Sequence, residues 1–396
     1  MVPLKKTYPS AFDKVLCDTL HRGKIMSDVT NADKELLGCI WGHKGFDKYK
    51  LDKNEKGDPK PTTLPWRSIR QLAKMNFCAI EKWNTEPFST CSLFGVSKRS
   101  GPLARPVVDS KLNDIIASYV ELNLPSVERR HHQALSYSYA LEEDYVSWFC
   151  QFGLDTTAQQ EFIFDYKHRK VTIKVLPQGF RPASGYAQMV TNLINKPFQD
   201  VMGYIDNSFL GAQDKHSLQA LRNALKKRAT FYGAVYKQQD FLPKTQITFI
   251  GAEYQLKYKL FRLDPSFVRR FIDFKETLGS LLQPHFLDTW YKLTGCLAWC
   301  GTLLMLPFCF LHPLRSWMSE LESLLQGKTR IKIKIPSYAL SQVVDLCTVI
   351  MSGKWFQLPT PPVRIRVGVS DASCSGAAFM SSMKGMLLGS IIDGQV

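Results

Sequence analysis

Between Leu64 and Leu256, short continuous or alternating apolar runs take turns with segments in which apolar residues recur every three to four positions. The first pattern predicts strands and the second helices, and their interleaving predicts an α+β core. Tyr186, Met189, Val190, Leu193 and Ile194 fall at i, i+3, i+4, i+7 and i+8, one apolar stripe on a helix that follows Arg181-Pro182 and takes Ser184 as its cap. A second helix runs from about Asp214 through Leu218, Leu221 and Leu225, with Lys226, Lys227 and Arg228 near its end, where cations suit the helix dipole. Asp264-Pro265 reads as the N-cap and first residue of a third, which continues through Phe267, Val268, Phe271 and Ile272. Residues Arg330 to Ile335 alternate basic with apolar side chains, the pattern of a half-buried strand with a positive outer face.

The stretch Val201-Met202-Gly203-Tyr204-Ile205-Asp206-Asn207-Ser208-Phe209-Leu210 sets an acidic turn between two apolar arms. A hairpin there lifts Asp206 clear of the sheet, where a carboxylate can hold a hard cation against a phosphate. Asp-Asn is also an ordinary turn pair, so the turn alone leaves both readings open. The tract Asp52 to Pro61, rich in Gly, Pro and charge, is a loop or linker that sets off residues 1–60, to which no role is assigned. Leu293 to Leu311 is uncharged and nearly long enough to span a bilayer. Its Gly295, Gly301 and Pro307 favour a buried helical hairpin instead, and no membrane partner is expected. Cys296, Cys300, Cys309 and His312 in and after it fit no zinc spacing and are read as core residues.

A chain of 396 residues can bury several cores, which predicts about two to four subdomains. Lys and Arg total 51 against 35 acidic residues, a net charge of +16 that calls for a polyanionic partner such as nucleic acid. Ten cysteines without regular spacing, and an N-terminus that lacks the apolar run of a signal peptide, predict free thiols in a reducing compartment, cytoplasm or nucleus. Oligomeric state is left open.

Three blocks occur in a telling order: Asp144-Tyr145-Val146-Ser147-Trp148-Phe149-Cys150-Gln151-Phe152-Gly153-Leu154, then Leu176-Pro177-Gln178-Gly179-Phe180, then the Asp206 hairpin. Together they resemble palm motifs A, B and C of reverse transcriptases. Lys98-Arg99-Ser100-Gly101, Arg105 to Asp109 and Leu112-Asn113 resemble the fingers segment before them, and Lys244 with Phe249-Ile250-Gly251 resembles the lysine motif and primer-grip hairpin after them. Trp299, Pro307, Phe310 and Pro313-Leu314 look like the linker between polymerase and ribonuclease H in some retroelements. Arg364 to Ser373, with Gly376-Ala377-Ala378, resembles the opening of a ribonuclease H domain. The linker and Asp371-Ala372-Ser373 look closer to tyrosine-recombinase retroelements than to retroviruses.

The resemblance implies a right-hand polymerase with fingers, palm and thumb and an antiparallel palm sheet, followed by a truncated ribonuclease H-like β segment. Its parts would be residues 1–60 as an extension, 61–262 as fingers and palm, 263–360 as a mostly helical thumb and connection, and 361–396 as the incomplete last domain. It also implies RNA-directed DNA synthesis on a template-primer from deoxynucleoside triphosphates with two Mg²⁺ ions, Mn²⁺ being an alternative. Asp144 and Asp206 are the metal-holding pair by this likeness, with the Tyr145 carbonyl on the nucleotide-side ion. Glu142 and Glu143 flank Asp144, but the later Phe149, Gln151 and Leu154 match only when Asp144 leads. Phe149 takes the place of the ring that excludes a ribose 2′-hydroxyl. By the same resemblance Lys98 and Arg105 would grip the triphosphate, Gln178 would lie near the sugar, Gly179 would permit close backbone approach, and Lys244 would act as general acid toward pyrophosphate.

Two residues depart from the pattern. Trp148 replaces a smaller residue beside Phe149, and Asn207 stands where the family has a second Asp. An amide supplies an oxygen but no negative charge, so Mg²⁺ binding should weaken. The alternative to an enzyme is therefore a catalytically weakened remnant that only binds nucleic acid. A ribonuclease H site needs several carboxylates to hold two metals, and with Asp371 alone such activity is not expected.

Overall fold

Three antiparallel strands lie at the centre in the order Tyr139–Asp144, Asn207–Ala212, Val201–Tyr204. The computed structural model describes residues 12, 15–50, 62, 64–84, 88–97, 104–116, 120, 122–306, 312–325 and 331–358, with three strands between 368 and 393. It divides into a unit through Phe356 and a second from Gln357. In the central sheet Asp144 pairs with Asn207, Glu142 with Phe209 and Leu141 with Leu210. Because successive side chains alternate, Leu141, Glu143, Ser208 and Leu210 share one face, and Glu142, Asp144, Asn207 and Phe209 the other.

The first face is covered by the helices Ala183–Asn195 and Lys215–Phe231, which also pack on each other. The predicted stripe is present: Tyr186, Val190, Leu193 and Ile194 are buried and Met189 is half-buried. Yet Gln188, Thr191 and Asn195 are buried as well, so this helix has no wet face in the ordinary sense. In the second helix Leu218, Arg222, Leu225 and Ala229 are buried, and the Asp214 side chain accepts the Ser217 N–H at 2.8 Å as its cap. The basic end of that helix is engaged. Arg228 donates to the Ile194 and Leu193 carbonyls at 3.0 and 3.2 Å, closing the C-terminus of its neighbour.

A four-stranded sheet, ordered Phe356–Gln357, Leu260–Leu263, Ala252–Gln255, Gln246–Phe249, meets the second face. The Phe249 and Phe209 ring centroids stand 5.4 Å apart, and Lys244 and Ala140 exchange two backbone hydrogen bonds of 2.9 Å. The predicted 249–251 hairpin turns through Ile250 (φ 45°) and Gly251 (φ 80°), both left-handed. Two further sheets draw on residues 78–173: Cys91–Ser97 paired with Ala104–Ser110, and Cys78–Lys82 with Arg169–Ile173, which also pairs with Ile163–Asp165. The later helices Pro265–Leu278, Leu287–Leu303, His312–Leu325 and Ser337–Met351 complete the first unit. The second unit is a three-stranded meander, Gly368–Ser373, Gly376–Met383 and Met386–Asp393, in which Asp371 pairs with Ala378.

The Asp264 cap holds, accepting the Ser266 N–H at 2.8 Å. Two sequence expectations change. Ser184 is not a cap: the helix begins at Ala183 with Pro182 ahead of it, where proline's missing N–H costs nothing. The strand expected over 330–335 shrinks to Lys332–Ile333, because Pro336 cannot donate to a ladder and opens the next helix; Arg330 lies outside the described residues. The stretch 293–311 forms the end of the Leu287–Leu303 helix, with Leu293, Leu297 and Cys300 buried, and the residues from Pro307 through Leu311 lie outside the described residues. Trp290 there meets Trp317 of the His312–Leu325 helix at 5.7 Å between centroids. Among the described residues no helix is long and apolar enough to cross a membrane.

A histidine joins the second sheet to the helical region. His131, on the Val127–Leu135 helix, is fully buried, with Nδ1 3.0 Å from the Tyr254 hydroxyl and Nε2 2.8 Å from the Leu303 carbonyl. A carbonyl only accepts, so Nε2 carries the hydrogen and Nδ1 accepts from Tyr254. Burial above all, then the Arg130 and His132 charges, push its pKa from 6.5 down to about 4 against the pull of the carbonyl. The unfolded chain therefore binds the proton first, and stability present above pH 6.5 is lost as pH falls toward 4. Across that window wild type should lose roughly 3 kcal/mol more than His131→Phe in urea unfolding. Equal losses in the two proteins would contradict this.

Candidate active site

The hairpin Val201 to Ala212 turns on Ile205 and Asp206, with Tyr204 and Asn207 as its closing pair. Ile205 is left-handed at φ 53°, a costly conformation for a β-branched residue. The buried helix beneath compensates. Gln188 Oε1 accepts the Ile205 N–H at 2.6 Å, and Thr191 Oγ1 donates to the Ile205 carbonyl at 2.6 Å. Gly203 makes this approach feasible, since a Cβ there would stand 2.5 Å from Asn195 Nδ2 and 2.6 Å from Thr191 Cγ2. Asn195 Nδ2 in turn reaches Ser208 Oγ at 3.4 Å, Ser208 meets the Tyr236 hydroxyl at 3.2 Å, and Tyr236 donates to the Tyr145 hydroxyl at 2.9 Å. This polar row was missed in the sequence, although uncharged polar residues at 188, 191 and 195 share one helical face and signal it.

Asp144 ends its strand opposite Asn207, and one residue on, the Tyr145 N–H donates to the Asp206 carbonyl at 3.0 Å. Asp144, Tyr145 and Asp206 thereby line one cavity of about 160 Å³, together with Arg105, Gln178 and Lys237. The Tyr145 ring is buried between Trp148 at 3.9 Å and Tyr236 at 4.1 Å, centroid to centroid. Trp148, the unexpected residue, is thus a packing support for Tyr145. Phe149 is half-buried against the core in the short Trp148–Gln151 helical turn, and it does not border this cavity. Gly179 is left-handed at φ 100°, and a Cβ on it would lie 2.2 Å from the Val108 carbonyl. Its close approach is therefore to the Ala104–Ser110 strand, where Val108 N–H also donates to Gln178 O at 2.8 Å. Lys98 lies outside the described residues.

The three neighbouring acids of the first strand part ways. Glu143 is fully buried on the helix side, in contact with Arg222 Nε and 3.3 Å from Lys226 Nζ. Glu142 shares the Asp144 face, and burial, followed by the Asp144 and Asp206 charges, pushes its pKa up to about 7 against the pull of Lys244 and Lys237. Asp206 is raised too, by burial first and Asp144 second, with Arg105 and Lys237 opposing. Asn207 Nδ2 donates to Asp206 Oδ1 at 3.2 Å. Lys237, which the sequence did not single out, forms an ion pair with Asp144. Lys244 is held by its backbone to Ala140, and its charge bears on Glu142. No group of three or more His, Cys, Asp or Glu side chains arranged to hold a metal occurs among the described residues.

No protein-family model and no curated protein matches the chain. Solved structures do. A foamy viral protease-reverse transcriptase (dRH form) in complex with double-stranded DNA superposes with TM-score 0.57 at 14% identity, covering 94% of this chain and 67% of that one. A foamy viral protease-reverse transcriptase with double-stranded DNA gives TM-score 0.56 at 14% identity over 96% of this chain and 82% of that one. One with an RNA/DNA hybrid gives 0.54 at 13% over 94% of this chain, which spans about half, 52%, of that one. The likeness establishes a mixed α/β fold with antiparallel sheets similar to reverse transcriptase structures.

Thr191→Val and Gln188→Leu each leave one Ile205 backbone group unpaired, at a cost of about 1–3 kcal/mol in urea unfolding. Changes below about 0.5 kcal/mol in both would show that the turn does not depend on them.

Proposed function

We propose that the chain is a template-directed nucleotidyltransferase of reverse transcriptase type, adding deoxynucleotides to a primer on an RNA or DNA template. The observation that carries this reading is the convergence of Asp144 and Asp206 on one cavity that Arg105 and Gln178 also line. The fold, shared with polymerases solved with nucleic acid, and the net charge of +16 agree with it.

Asp206 is raised by burial first and by the Asp144 charge second, so the two carboxylates repel each other, with Arg105 and Lys237 as local counter-charges. Such an all-oxygen pair suits a hard divalent ion, Mg²⁺ or Mn²⁺, held by Asp144, Asp206 and the Tyr145 carbonyl. Divalent ions bound there would supply the positive charge that stabilises the attacking and leaving oxygens of an in-line displacement. In this reading Arg105 holds the triphosphate and Gln178 borders the sugar. The proton donor to pyrophosphate is assigned to Lys237 in place of Lys244, because Lys237 reaches Asp144 and lines the cavity. Asn207 serves Asp206 by hydrogen bond and adds no charge to an acid already raised. Trp148 and Cys150 border the cavity and Phe149 between them does not, so the exclusion of ribonucleotides is not assigned to the Phe149 ring.

Asn207 favours a second reading, a remnant that retains nucleic-acid binding without synthesis. Primer extension on poly(rA) with Mg²⁺ and with Mn²⁺, alongside template binding, separates the two. The enzyme reading predicts product that falls roughly 10²–10³-fold or more in Asp144→Asn and rises in Asn207→Asp. Template binding without product under either ion would establish the remnant instead.

A further inference from the structure

We infer that Arg130 is a positioning residue that fixes the Asp206 hairpin against the adjoining four-stranded sheet. Arg130 is 2% exposed, and no carboxylate among the described residues is paired with it. A cation buried without a counter-ion is expensive, and an apolar side chain of similar length would fill the space at lower cost. What the apolar residue could not do is hold two separate elements at once. The Arg130 guanidinium carbon lies 5.6 Å from the ring centroid of Tyr204, two residues before Asp206. Its Nη1 donates at 3.4 Å to the carbonyl of Ile250, in the left-handed turn of the second sheet. Nε is buried with no hydrogen-bond partner among the described residues.

The second sheet meets the same face of the central sheet that carries Asp144 and Asn207, through Phe209 and Phe249. Whatever is held along that face is registered on Asp206 by contacts between the two sheets, and Arg130 supplies one at Tyr204, two residues from Asp206. Next to it, His131 ties the same sheet to the Leu303 carbonyl. This inference rests on the polymerase reading for its consequence, which is a defect in the rate of nucleotide addition rather than in nucleotide binding.

The test uses the full chain and two readouts. Amide hydrogen exchange followed by mass spectrometry should show peptides over 201–208 and 246–255 exchanging about tenfold faster in Arg130→Met, with Arg130→Lys intermediate. Tyr204→Leu should accelerate the same peptides, and the double variant should add little to either single change. In single-nucleotide extension Arg130→Met should lower kcat about tenfold while KM for the nucleotide moves less than about twofold, with partial recovery in Arg130→Lys. Exchange altered only within the Val127–Leu135 helix, or KM altered with kcat unchanged, overturns the inference. Coupled exchange in a chain without polymerase activity would retain the positioning link and remove the polymerase reading. Should Arg130→Met not fold, Arg130→Lys and Tyr204→Leu carry the same exchange criteria.

Discussion

One backbone hydrogen bond, from the Tyr145 N–H to the Asp206 carbonyl, decides where the acids of this protein stand. It extends the pairing of two strands by one step beyond Asp144 and Asn207 and draws the tip of a hairpin against the residue that follows the Tyr139–Asp144 strand. Two carboxylates from separate strand ends then share a cavity, which their mutual repulsion and partial burial would resist. The surroundings offset that resistance. Tyr145 is clamped between two aromatic rings, Ile205 is held at both backbone groups, and the Tyr236–Ser208–Asn195 row links clamp and hairpin through one buried polar chain.

The acids show how one strand can divide labour by alternation. Glu143 turns inward to Arg222 and Lys226, where it joins the sheet to a helix and supplies the carboxylate that faces the buried Arg222. Glu142 and Asp144 turn the other way, and the proton that Glu142 holds up to about pH 7 limits the negative charge on that face. An acid at 207 would add to this load, whereas Asn207 donates to Asp206. The departure from the reverse transcriptase pattern therefore has a structural consequence as well as a loss of charge.

Much of the fold was legible because it rests on signals of short range. Asp214 and Asp264 cap their helices, the 186–194 stripe is buried, and the paired turns at 205–206 and 250–251 lie where the sequence put them. The strand over 330–335 was overestimated because its alternation was weighed without the stop that Pro336 imposes. The juxtaposition of Asp144, Tyr145, Asp206, Arg105 and Gln178 followed from ordered blocks read as a whole. Lys237 was missed because a lysine between a helix and a strand carries no local signal: its partner is 93 positions away. Gln188, Thr191 and Asn195 were overlooked for a related reason. Amphipathic analysis weighs apolar positions, and a helix buried on its polar side hides its most specific contacts there.

The proposed activity requires Asp144 and Asp206 to share divalent cations. Titration calorimetry of the full chain with Mn²⁺ addresses this without any assay of synthesis. Binding that disappears in both Asp144→Asn and Asp206→Asn, with each variant still folded, is the predicted result. Mn²⁺ uptake that survives intact in either variant would contradict it.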